Sequence, residues 1–256
     1  MSYRIGFVLS TGRTGTVFIA KKLSQLFPDI LTVHEPGMSR YQYLLGNFSR
    51  QWPIVTPFLH RWFWFSRPEI HNNREGYPQG YIEINPFLSS FSDVLSELEV
   101  PLRIVHVVRH PYTWISSMSD FKASGYRKTF INYLPYNQPV PPGETARNHL
   151  ERLAWRWRLY NENIVRLKQE ATSFSQVKFE ELFGDDTANA AKAFQEILKT
   201  FELEDIVHGR FDERTKENAN PNPKGTISLN DRIAPQELER IRNIVSPIAE
   251  QLGYEL

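Results

Sequence analysis

Short, nearly continuous aliphatic runs alternate along this chain with longer segments whose apolar positions recur every three or four residues. The first run, Arg-Ile-Gly-Phe-Val-Leu-Ser over residues 4–10, has no polar alternation, which suits a parallel strand buried on both faces. Similar runs fall at 30–34, 80–85, 103–109 and 175–179. The run over 103–109 is the strongest, being almost wholly β-branched. Between the runs, Val17, Phe18, Ile19, Leu23, Leu26 and Phe27 form a helical stripe that Pro28 ends. Helices are also predicted over 39–48, 57–65, 87–98, 144–170, 187–201 and 235–252. A further helix begins at Pro111, and residues 231–235 should cap the last one. Strands followed by helices in this order predict an α/β sheet covered on both faces.

No Gly/Ser linker, charge block or internal repeat divides the 256 residues, so a single domain spanning 1–256 is expected. Residues 126–143, rich in Tyr, Asn and Pro, read as a long connection of the kind that covers or binds something, here an acceptor-binding or lid segment. The aromatic segment 52–65 is interrupted by Pro53, Pro57, His60 and Arg61. It suits ordinary core or an acceptor pocket, with peripheral membrane contact as a further option. Nothing approaches the twenty apolar residues of a membrane span.

Thirty Lys and Arg against twenty-nine Asp and Glu give no support to a nucleic-acid or other polyanion binder, although a local anion site remains open. Cysteine is absent, which removes disulfides, thiol catalysis and cysteine metal sites, and fits a cytoplasmic location. The seven histidines are scattered without a zinc-type spacing, so no metal is expected.

The candidate chemistry lies just beyond three strands, where open parallel sheets bind ligands. Ser10-Thr-Gly-Arg-Thr-Gly-Thr16 joins the first strand directly to a helix. Gly12 and Gly15 permit a tight turn, Arg13 adds a charged fork, and Thr14 and Thr16 add hydroxyls at a helix N-terminus suited to an anion. No lysine follows Gly15, so the nucleoside-triphosphatase signature is missing, and Gly-x-Gly-x-x-Gly does not occur either. Arg109 ends another strand, with Ser117 two helical turns later; together they suit a phosphate. Lys224 and Gly225 form a third polar element, equally readable as a simple loop.

These landmarks, in this order, resemble the sulfotransferase family over nearly the whole chain, nearer its bacterial carbohydrate and protein-tyrosine branches than its animal phenol branch. The resemblance implies a three-layer α/β/α fold like that of P-loop nucleoside-triphosphate hydrolases, with a mainly parallel sheet. It implies 3′-phosphoadenosine 5′-phosphosulfate as the sulfuryl donor. Arg13, Gly15 and Thr16 would contact the phosphosulfate, with Gly12, Thr14 and Val17 completing the loop. Arg109 and Ser117 would grip the 3′-phosphate, with Lys224-Gly225 closing over it. Val177-Lys-Phe-Glu-Glu-Leu182 resembles the family's Tyr-Glu-Asp-Leu segment.

The acceptor proton needs a base. Glu35, in His34-Glu35-Pro36, resembles the strand-end glutamate of the favoured branches; Glu83 and His34 are the other candidates, and Arg13 is the expected charge stabiliser. The animal branch's Lys-Thr-His segment is replaced here by Glu83-Ile84-Asn85. The expected acceptor is a carbohydrate or small metabolite, met by an aromatic enclosure of Tyr41, Tyr43, Trp52, Phe58, Trp62 and Trp64 or by Tyr126, Arg127, Lys128 and Asn132. A nucleotide kinase and a non-catalytic binder of adenosine bisphosphate or polyanions are the competing readings.

Overall fold

The computed structural model describes residues 3–70, 77–123, 139–204, 229 and 232–256. Five strands, β1 (Arg4–Ser10), β2 (Ile30–His34), β3 (Gly80–Ile84), β4 (Arg103–Val108) and β5 (Ser173–Lys178), form one sheet in the order β2-β3-β1-β4-β5. Every pairing is parallel. The helices are α1 (Thr16–Leu26), α2 (Ser39–Ser49), α3 (Thr56–Phe65), α4 (Pro111–Ala123), α5 (His149–Arg166), α6 (Phe179–Phe183), α7 (Thr187–Thr200) and α8 (Pro235–Gln251).

Side-chain alternation along the strands builds two apolar layers. Val8, Ile82, Val105 and Val107 pack beneath α1 and α7, through Ile19, Leu23, Phe194 and Ile197. Phe7, Leu9, Tyr81 and Ile104 face the other way, against Leu59 and Phe63 of α3 and Ile164 of α5. A third cluster joins α4, α5 and α8 around Trp114, Trp157 and Ile241. The result is the expected three-layer α/β/α arrangement. Because β1 lies between β3 and β4, the chain reverses direction across the sheet at β1, and the turn after it sits at the switch point where such folds bind ligands.

Several boundaries differ from the sequence pattern for identifiable reasons. Residues 87–98 form two 3₁₀ stretches, Pro86–Ser90 and Ser92–Glu97, rather than one α-helix. There the Asn85 side chain caps Phe87 N–H, and Ser89 and Ser90 spend their hydroxyls on the Ser10 and Phe87 carbonyls. Helix α5 starts at His149 rather than 144, because Asn148 accepts from Glu151 N–H and Glu151 reaches back to Arg147 N–H. Strand β5 begins at Ser173, and Phe179 opens α6 instead of closing the strand. Helix α8 is entered through Ala234 and Pro235 with no side-chain cap, while Asp231 lies outside the described residues. Most of the 126–143 connection also lies outside them.

His106 of β4 is wholly buried, and one ring nitrogen lies 2.8 Å from Asn161 Oδ1 of α5. Burial pushes its pKa down from 6.5 to about 4, with the Asn161 bond opposing. Between those values the unfolded chain takes up a proton that the folded chain refuses. Stability from this group is therefore complete above pH 6.5 and falls as pH drops toward 4, by up to ~1.4 kcal/mol per pH unit. Chemical denaturation from pH 7 to pH 4.5 should show a shallower loss for His106→Gln than for the wild type; equal slopes would contradict this assignment.

Candidate functional site

The turn between β1 and α1 takes a left-handed path. Gly12, Arg13 and Gly15 have φ of 82°, 57° and 77°, and at Arg13 this costs a residue that carries a side chain. Gly15 has a second constraint: a Cβ there would lie 2.1 Å from the Phe183 ring of α6.

Three successive carbonyls of this turn point into the protein. Thr11 O accepts from Arg156 Nη2 of α5 at 3.4 Å. Gly12 O accepts from Trp114 Nε1 of α4 at 2.7 Å, and Arg13 O from Arg109 Nη1 at 3.0 Å. With these carbonyls anchored, the N–H groups of Arg13, Thr14, Gly15, Thr16 and Val17 find no acceptor among the described residues. The first turn of α1 has neither a side-chain cap nor an acidic residue. The turn thus carries a row of donors with no acceptor among the described residues at a positive helix end, Thr14 being 0% and Thr16 6% exposed, which is the local chemistry of an anion cradle.

Two guanidiniums border it. Arg109, at the end of β4, stacks 4.3 Å over Phe179 and donates to Thr113 Oγ1. Burial lowers its pKa to about 10, Glu180 opposes that and Arg13 adds to it, so it stays charged at neutral pH. Arg13 stacks 4.7 Å over Phe121, and its Nε lies 3.4 Å from Ser117 Oγ. Burial also lowers its pKa. Arg13, Arg109 and Ser117 therefore form one continuous basic, hydroxyl-bearing cluster. Two close cations with buried stems are a natural place for an anion.

His34 and Glu35 leave β2 beside the same turn. A His34 ring nitrogen is 3.2 Å from Thr16 Oγ1 and 4.0 Å from Glu35 Oε1. Burial lowers the His34 pKa and Glu35 partly restores it, which favours a neutral ring. Glu35 has φ of 46°, held by its N–H bond to Ile84 O. For a carboxylate residue that conformation costs about 1–3 kcal/mol, a form of strain that clusters at functional sites. Its side chain is about one-third exposed, so the carboxylate is accessible.

Glu83 is different. It is 0% exposed and accepts four hydrogen bonds, from Arg67 Nε (2.6 Å) and Nη2 (2.8 Å), Tyr81 OH (2.6 Å) and Asn85 Nδ2 (2.7 Å). Tyr81, Glu83 and Asn85 alternate onto one strand face and build a closed ionic network around Arg67. With its lone pairs occupied and no path to solvent, Glu83 is a structural carboxylate rather than a general base.

The six aromatic residues expected to enclose an acceptor do not converge either. Tyr43 is buried, whereas Phe58 and Trp62 line a shallow groove with Arg61 and Phe65 on the outer face of α3. Lys224, Gly225, Tyr126, Arg127, Lys128 and Asn132 lie outside the described residues. Among the described residues no group of three or more His, Asp or Glu side chains could hold a metal ion, and no helix is long and apolar enough to cross a membrane.

Sequence reasoning missed the supports. Arg156 lies on the buried stripe Leu153-Arg156-Tyr160-Ile164 of α5, and a charge at a core position was the available signal. Its neighbour Trp157 donates to Arg109 O at 3.0 Å, so adjacent residues of one helix brace both the β1–α1 turn and the end of β4. Phe179, from the segment resembling Tyr-Glu-Asp-Leu, packs on Arg109, and Phe183, just after that segment, packs on Gly15.

No protein-family profile matches the chain, and no curated protein does. Among solved structures it is similar to a "Sulfotransferase Domain from the Curacin Biosynthetic Pathway", with a TM-score of 0.50 and 15% identity over 100% of this chain and 99% of the other. The chain accordingly has a sulfotransferase-like α/β fold.

The Glu83 network yields a direct test. Arg67→Met should lower stability by about 3–5 kcal/mol, because it strands a buried carboxylate, and Arg67→Met with Glu83→Leu should recover much of that loss. Urea denaturation checks both. Additive losses in the double variant would contradict the pairing.

Proposed function

We propose that this chain transfers a sulfuryl group from 3′-phosphoadenosine 5′-phosphosulfate to a hydroxyl or amine. The observation that carries the reading is the meeting of the β1–α1 turn with Arg109 and Ser117 in one basic cluster at the switch point of the sheet. A donor phosphorylated at two positions needs cationic and hydroxyl donors on two adjoining elements, and those elements adjoin here. The sulfotransferase-like fold supports the same reading.

In this proposal the open amides of the turn, with Gly12, Thr14, Gly15, Thr16 and Val17, hold the phosphosulfate. Arg109 and Ser117 hold the 3′-phosphate, and Lys224-Gly225 close over it. Arg13 borders both groups and compensates charge on the leaving oxygen. The acceptor oxygen or nitrogen attacks sulfur in line, a new bond to sulfur forms, and the bond from sulfur to the 5′-phosphate oxygen breaks. The acceptor proton passes to Glu35. Neutral His34 orients Thr16 through the 3.2 Å contact and is the alternative acceptor of that proton. No metal enters this scheme. A carbohydrate or small metabolite is the favoured acceptor, and the cytoplasm the favoured setting.

Two variants separate binding from chemistry. Arg109→Ala should weaken binding of adenosine 3′,5′-bisphosphate at least tenfold, through loss of charge-assisted bonds. Glu35→Gln should leave that affinity within twofold while lowering sulfuryl transfer about a hundredfold or more, read with isotopically labelled donor over a panel of acceptors. Unchanged affinity in Arg109→Ala would overturn the phosphate assignment, and unchanged turnover in Glu35→Gln would remove Glu35 as the base. Retained nucleotide binding without transfer to any acceptor would favour the non-catalytic reading.

A further inference from the structure

Two arginines are almost wholly buried beside the sheet, and their surroundings differ in kind. Arg67, 1% exposed, is neutralised by the two-pronged Glu83 pair. Arg156, 6% exposed, has no carboxylate partner among the described residues. Its guanidinium instead lies among the rings of Tyr43 (5.3 Å), Tyr160 (5.3 Å) and Trp114 (5.8 Å). Among the described residues its Nε lacks an acceptor, and its hydrogen bond runs to Thr11 O in the β1–α1 turn.

Aromatic faces stabilise a cation without cancelling its charge. A carboxylate would have satisfied the guanidinium better and neutralised it. If only packing were needed at this position, an apolar side chain of similar length would avoid the desolvation cost. We infer that Arg156 is a positioning residue of the anion site: an uncompensated cation behind the turn that fixes the Thr11 carbonyl and adds positive potential where an anion sits against the open amides. The inference rests on the reading of this turn as the seat of the donor's phosphosulfate, and it names the group that tunes that seat from beneath.

The test compares full-length wild type with Arg156→Gln, Arg156→Met and Arg156→Lys. Gln keeps a donor for the Thr11 carbonyl but removes the charge, Met fills the aromatic cage with neither, and Lys keeps the charge without the fork. Calorimetry with inorganic sulfate, adenosine 3′,5′-bisphosphate, adenosine 5′-monophosphate and uncharged adenosine supplies the readout. Gln and Met should lose roughly tenfold or more in affinity for both anions. Lys should stay within about threefold of wild type, and adenosine affinity should not change. Should Met fail to fold, the Gln and Lys pair decides alone. Wild-type anion affinity in Gln, or a loss in Lys as large as in Gln, would overturn the inference. If sulfate binding depends on Arg156 but the bisphosphate binds no better than adenosine 5′-monophosphate, the donor reading falls and the role of Arg156 stands. If the bisphosphate is preferred and binds equally to wild type and Gln, the role of Arg156 falls alone.

Discussion

The direction of three peptide groups governs the rest of this site. A carbonyl and the N–H that follows it point roughly opposite ways, so holding the Gly12 and Arg13 carbonyls turns the Arg13 and Thr14 amides away from those donors, while the Gly12 amide is taken by Ser10 Oγ. Arg156, Trp114 and Arg109 hold the carbonyls of Thr11, Gly12 and Arg13, each from a different element. The left-handed φ values at Gly12, Arg13 and Gly15 permit that course. Without the three donors, these carbonyls would lose their partners in a turn that is strained at Arg13. With them, the strained turn is the conformation that leaves few buried carbonyls unsatisfied.

The same helix that braces the turn also braces Arg109. Arg156 and Trp157 are adjacent on α5 and reach the ends of β1 and β4 respectively. Asn161, one turn further on, meets His106 in the body of β4. Helix α5 therefore fixes the spacing between the ends of β1 and β4. On the other flank, Phe179 and Phe183 of α6 confine Arg109 and Gly15 from the β5 side. The cluster is held by apolar and aromatic groups around its cations, which keeps their charge available to an incoming anion. Where a cation serves the fold alone, as at Arg67, it is paired and closed.

The positions of the strands along the chain and of the turn after the first were legible because both depend on local pattern. Unbroken β-branched runs, a glycine-rich turn between strand and helix, and the Arg109–Ser117 spacing are each contained in a few residues. What was not legible depends on partners distant in sequence. Glu83 was a candidate base by residue type, and only Arg67, sixteen residues away, shows it to be closed. Arg156 sat between two tryptophans that read as packing, and its target, Thr11, is 145 residues away. The serine-rich 87–98 segment carried helical apolar spacing, but its hydroxyls take up backbone acceptors and tighten it to 3₁₀. Strain at Glu35 is a property of backbone angles that residue types do not reveal.

The amides of residues 13–17 have no acceptor among the described residues, and amide hydrogen exchange reads that state residue by residue. In the free protein, the N–H groups of residues 13–17 should exchange much faster than those in the middle of β1. Saturating adenosine 3′,5′-bisphosphate or inorganic sulfate should slow them selectively. Amides already protected in the free protein, or unaltered by either anion at saturation, would contradict it.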